Sequence, residues 1–212
     1  MRFPANFALL TKMSIVKERK SRVRRAPEAA RDNILAAAER LLVERGPLAL
    51  KLADVAAAAG VANASVLHHF GSIDGVHAAL MDRMVQQLVA DVLAIAEQPG
   101  AREEHQEAVV RKLFDVFETR GAARLAAWLE LTGEWRRLTH VREAVQSVVM
   151  KRASFGDRSV EETEDLVLIS VVLAMGAGLF GGSLAQLVGK PGGHTRAVAA
   201  DVLRAYVGRQ KT

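Results

Sequence analysis

With 212 residues, half of them hydrophobic and a quarter charged, the chain carries enough apolar material for a buried core in one or two modest domains. It has no cysteine, which excludes a disulfide framework, thiolate metal sites and cysteine nucleophiles, and which suits a reducing, cytoplasmic setting. The net charge of +5 is unevenly spread: residues 1–31 hold nine basic side chains against Glu18 and Glu28, an excess of +7 that leaves the remainder at −2.

Residues 1–25 read as a basic arm ending in Arg24 and Arg25, able to neutralise phosphates without regard to sequence; the plainer alternative is a solvated tail. The opening MRFPANFALLTKM lacks the long apolar run and small-residue cleavage site of a secretory signal, and Met13 stands beside Met1 as a start. Alanine, leucine and valine dominate, aromatics make up 5%, and strand-like alternation is scarce, so an all-α fold is expected. Periodicity predicts helices over 27–45, 52–59, 63–69, 73–97, 102–120, 122–136, 140–155, 159–188 and 193–209. Pro27 falls in a first turn, and Pro47, Pro99 and Pro191 fall between helices.

The stretch 52–70, LADVAAAAGVANASVLHHF, has the pattern of a helix-turn-helix. Leu52, Val55, Ala56 and Ala59 share one helical face, and Gly60 supplies the left-handed residue that ends a helix. The second segment turns Val61, Val66 and Phe70 inward and leaves Asn63, Ser65, His68 and His69 outward, on a face sized for a major groove.

From Arg31 to Val76, through RDNILAAAERLLVERGPLAL, KLADVAAAAGV and ANASVLHHFGSIDGV, the chain resembles the DNA-binding domain of TetR-family transcriptional regulators. The register is carried by Ile34, Ala37, Ala38, Gly46, Ala56, Gly60, Val61, His69, Phe70 and Ser72. The sequence departs from the family pattern at Lys51 where Thr is common, Ala62 for a Ser cap, Leu67 for Tyr, and Ile73 for Lys. The resemblance implies a three-helix DNA-binding domain over 26–72 and a larger helical effector-binding and dimerisation domain over 73–212. It also implies a homodimer that binds a double-stranded, pseudo-palindromic operator, acts as a repressor, and is released by a small molecule.

Among candidate DNA contacts, Ser65 and His68 are the side chains expected to reach bases, and Lys51 is placed for a phosphate. Asn63 has two readings of equal standing, a base-edge contact or the N-cap of a helix shifted by one residue. His69 matches a family position that meets the DNA backbone, its alternative being a hydrogen bond that closes the next turn. Leu67 either touches a thymine methyl or marks a chain that has lost operator binding; the second possibility defines the alternative function, a dimeric helical interaction module.

Phe114, Phe117, Trp128, Leu131, Thr132 and Trp135 lie on the fifth and sixth expected helices; with His140 they form the expected effector pocket, against a plain reading as core. Few polar groups stand there, so a mostly apolar effector is favoured. Residues 166–189 carry no charge and are long enough to span a bilayer. This segment stands alone and is studded with Gly176, Gly178, Gly181, Gly182, Ser183 and Gln186, so a helix buried between subunits is preferred to a membrane span. Leu173, Gly178, Gly181, Gly182 and Leu203 are the expected dimer contacts.

No HExxH, G-x-S-x-G or GK[ST] motif occurs, His77, His105, His140 and His194 are scattered, and Glu103-Glu104 and Glu161-Glu162 sit at helix starts where the dipole favours them. Gly176-x-Gly178-x-x-Gly181 with Asp201 downstream matches a dinucleotide fingerprint formally, but the surrounding periodicity is helical rather than βαβ. No catalytic residue, metal or cofactor is therefore expected.

Overall fold

A computed structural model describes residues 27–99, 101–154 and 158–209. Among these, nine α-helices and no strand are found: α1 (27–45), α2 (Leu52–Ala59), α3 (Asn63–Phe70), α4 (Ile73–Glu97), α5 (Arg102–Phe114), α6 (Ala122–Leu131), α7 (Thr139–Ala153), α8 (Val160–Leu187) and α9 (His194–Arg209). Gly176, Gly178 and Gly181 all lie inside α8, so no strand precedes them and the formal dinucleotide fingerprint has no structural support.

Helices α1 to α3 form a small head. Ile34, Leu35, Ala37, Ala38, Leu41 and Leu42 recur at helical spacing on α1 and are buried with Val55, Ala56 and Val66. Polar side chains of α1 occupy carbonyls that helix ends would otherwise leave open. Asn33 donates to Ala59 O at 2.8 Å and Arg40 to Ala58 O at 3.3 Å at the end of α2, while Arg31 donates to His69 O at 3.0 Å. Gly60, at φ 68 and ψ 33, closes α2 as its sequence suggests.

The head sits on α4, whose Val76, Leu80 and Met84 continue the same buried cluster into the body. Ser72 caps α4 by accepting from Gly75 N at 3.0 Å. Gly75 is placed where a Cβ would lie 2.0 Å from the carbonyl oxygen of Phe70, so the last turn of α3 rests directly on backbone. Glu39 of α1 ties head to body by accepting from Arg120 Nε at 2.7 Å, with Arg83 at 3.7 Å.

Two expected body helices are interrupted. α5 ends at Phe114 and passes into a π-turn over Asp115–Thr119 before Gly121, at φ 81. α6 ends at Leu131 because Gly133 adopts a left-handed conformation (φ 75, ψ 8), and Glu134–Arg137 forms a separate 3-10 turn. Trp128 and Trp135 therefore do not share a helix face.

α8 packs on α9, on α6 and on the π-turn. The expected dimer contacts divide here. A Cβ on Gly178 would lie 2.8 Å from both Ala123 Cβ and Phe117 O, and one on Gly181 3.3 Å from Thr195, so these glycines serve close packing within the protomer. Leu203 is 1% exposed in the core, and Leu173 is half-buried against it. Only Gly182 lies on the open side of α8. That side carries Leu168, Val172, Phe180, Leu184 and Leu187, all more than half exposed, next to Val198 and Val202 of α9. By length and composition α8 could cross a membrane, yet it packs against four neighbouring helices on its other side.

Candidate nucleic-acid interface and the body cavity

α3 presents its outward side through Asn63, Ala64, Leu67 and His68, spaced one turn apart, while Val66 is fully buried beneath. Ser65 and His69 are half-buried at the flanks, so the outward face is rotated from the expected one, and Ala64 joins it. The N-cap of α3 is Ala62, with no side-chain cap, so Asn63 sits inside the first turn and the shifted-cap alternative falls away. Lys51 is the exposed N-cap residue of α2. His69 packs edge-on between His68 and Phe70, and Arg31 lies 4.4 Å over the Phe70 ring, which steadies the end of α3 against α1. Arg24 and Arg25 lie outside the described residues.

Below the head, His77 of α4 is 4% exposed and its Nε2–H donates to Leu50 O at 3.2 Å; its ring meets Trp128 edge-on at 6.4 Å. That bond fixes the tautomer and leaves buried Nδ1 without a partner, 3.9 Å from Asp74. Burial holds the His77 pKa below the ordinary imidazole value, against the smaller opposing effects of the Leu50 bond and Asp74. The folded state thus binds this proton less readily than the unfolded state. The stability due to neutral His77 is complete above about pH 6.5 and is lost as pH falls from there towards the depressed folded value. Thermal unfolding of the wild type followed from pH 8 to 5 should show this loss, no steeper than about 1.4 kcal/mol per pH unit from this one proton, and His77→Gln should lack that component. Parallel curves for the two proteins would remove His77 from the account.

The residues expected to form an effector pocket scatter. Phe114 is fully buried, with Arg196 stacked 5.6 Å from its ring. Trp128 and Leu131 border a shallow hollow of about 270 Å³ beside Pro47 and Leu48, and Thr132 bonds back to Trp128 O at 2.8 Å. Trp135 is exposed on the 3-10 turn, and His140 Nδ1 donates to Asp82 at 3.3 Å on the surface. Phe117 alone of the seven borders the main cavity.

That cavity has a volume of about 620 Å³, is lined by residues of α4, α5, α7, α8 and α9 and is partly open to the surface. Its walls are aliphatic, with Val85, Leu88 and Val92 of α4 facing Val109, Val145 and Val167. Polar groups are confined to His105, Gln106, Arg152, Arg158, Thr163 and Ser170. No aromatic cluster announces it, because each helix contributes a few valines and leucines that look like ordinary core in sequence.

Residues 34–80 match the family model described as bacterial regulatory proteins, tetR family. No curated protein matches the sequence. The fold is similar to that of a transcriptional regulator from Rhodococcus sp. Rha1, at 19% identity and a TM-score of 0.64, over 84% of this chain and 96% of that one. It is also similar to a TetR-family regulator from Pectobacterium atrosepticum (18% identity, TM-score 0.63, 86% and 94% covered). A TetR-family regulator from Streptomyces coelicolor is comparable (20% identity, TM-score 0.59, 85% and 98% covered). Residues 34–80 thus carry the helix-turn-helix of the tetR family of bacterial regulatory proteins, and the described residues around it have an all-α fold similar to that of these regulators.

Proposed function

We propose that the chain is a cytoplasmic, homodimeric repressor in which 26–72 reads a pseudo-palindromic operator, 73–212 dimerises and binds a small effector, and the basic arm 1–25 adds phosphate contacts. The observation that carries this reading is that one helix, α4, seats the head through Val76 and Leu80 and walls the cavity through Val85, Leu88 and Val92. A ligand in the cavity is thereby placed against the element that orients α3. Enzymatic chemistry has no comparable support.

In this reading Asn63, Leu67 and His68 face bases, Ser65 flanks them, and Lys51 and His69 meet the backbone; the uncapped first turn of α3 leaves N–H donors for phosphate. Binding to the DNA upstream of the protein's own reading frame, followed by gel retardation and fluorescence anisotropy, tests it. Asn63→Ala and His68→Ala should each lower discrimination between operator variants by about 1–3 kcal/mol while leaving the melting temperature unchanged. Removing residues 1–25 should flatten the slope of log affinity against log salt. Exposed Leu67 favours one second reading, an interaction module without operator specificity. Equal affinity for all duplexes in wild type and variants would select it.

A further inference from the structure

Five of the six polar side chains of the cavity are gathered at one end of it, Ser170 standing about two turns further along α8. α7 runs alongside α4 in the same direction, since His140 at its start bonds Asp82 and Lys151 near its end pairs with Glu97, the last residue of α4. Arg152 follows Lys151, Arg158 and Thr163 open α8, and His105 and Gln106 lie in the first turns of α5, immediately after the turn that leaves α4. All five therefore surround the α4 C-terminal end, the one furthest from the head. From Ala96 back to Val85 the cavity follows α4 for about 16 Å, walled by valine and leucine.

Two buried polar atoms at that end have no hydrogen-bond partner, His105 Nε2 and Arg158 Nε. Thr163, by contrast, is satisfied through Ser159 O at 2.8 Å. A guanidinium nitrogen closed off from water without an acceptor is costly, and no Asp or Glu among the described residues lines the cavity to offset it. The complement of this site is an elongated apolar body ending in a single small anion that offers two acceptor oxygens.

We infer that the cavity selects an aliphatic monocarboxylate, its chain laid along α4 between Val85 and Val92 and its carboxylate accepting from Arg158 and His105. This rests on the reading of the cavity as the effector site, and it goes further by naming the ligand's chemical class. An alcohol of equal length would fill the same walls but bring no charge to Arg158. A quaternary ammonium of equal length would set cation against Arg152 and Arg158.

The test is calorimetric titration of the full-length protein with laurate, 1-dodecanol and dodecyltrimethylammonium, each below its micelle concentration. Laurate should bind about tenfold to a hundredfold more tightly than dodecanol, as a charge-assisted hydrogen bond in a desolvated site requires, and the ammonium should bind least. Arg158→Gln should bring laurate down to dodecanol while leaving dodecanol unchanged, and Arg158→Lys should retain part of the preference. Laurate that binds no better than dodecanol to the wild type, or a preference that survives Arg158→Gln, overturns the inference. Operator affinity is measured separately with and without laurate. Laurate binding that leaves DNA affinity unchanged sustains the ligand class and defeats the effector role.

Discussion

Gly75→Ala should destabilise the protein by about 2–4 kcal/mol and abolish operator binding, although the change adds one methyl group to a helix, where alanine is ordinarily preferred. The reason is the Phe70 carbonyl, 2.0 Å from where that methyl would stand. Backbone cannot rotate aside as a side chain would, so the end of α3 must lift from α4, and Val66 and Val76 lose their shared packing. Ser72→Ala provides the scale: it removes one capping bond to Gly75 N and should cost only about 0.5–2 kcal/mol. Denaturant unfolding of both variants decides the matter. A Gly75→Ala protein as stable as the wild type would mean that the α3–α4 seat has room the structure does not show.

The second large effect is expected at the open side of α8. Leu168, Val172, Phe180, Leu184 and Leu187 are 65%, 55%, 59%, 52% and 81% exposed, a broad apolar side of α8, and Val198 and Val202 of α9 are exposed as well. Such a surface calls for a partner, and in the proposed homodimer the same side of a second copy would cover it. Because a two-fold interface counts every substitution twice, Leu184→Glu should raise the dimer dissociation constant about a hundredfold or more, from a loss of about 1.5–3 kcal/mol per side. Sedimentation should then find folded monomer. Gly178→Leu should behave differently: its new side chain collides with Ala123 and the Phe117 carbonyl inside one protomer, so folding fails before association does. A wild type that sediments as a monomer at every concentration would leave that side of α8 without its proposed partner.

These contrasts also show which parts of the molecule can be read from sequence. The helix-turn-helix is legible because its signals are local: Gly60 ends α2, Ser72 opens α4, and Val55, Ala56 and Val66 fall at helical spacing. The expected nine helices are found, with boundaries shifted mainly where a backbone conformation intervenes, as at Gly133 and the π-turn after Phe114. The two tryptophans sit seven residues apart, a spacing that suggests one wall until Gly133 turns the chain between them. Within α8 the problem is the reverse. Residues apolar all round carry no periodic signal, so the sequence cannot say that Gly178 faces Ala123 while Gly182 faces outward. The cavity is least legible, since it is assembled from single valines and leucines of five helices and from His105 and Arg158, which are far apart in the chain.

α4 also has a mechanical consequence. It is one unbroken helix of 25 residues, about 37 Å from end to end. Its middle is gripped where Met84 is fully buried and Arg83 reaches Glu39 of α1. Val89, Val92 and Ala96 form one arm, along the cavity, and Ile73, Asp74 and Val76 form the other, under α3. In the proposed repressor, a push that moved the far arm outward about that fulcrum would swing the near arm the opposite way, by a similar distance. In a symmetric pair the two near arms would swing in mirrored senses, altering the span between reading helices that must match one turn of duplex or a multiple of it.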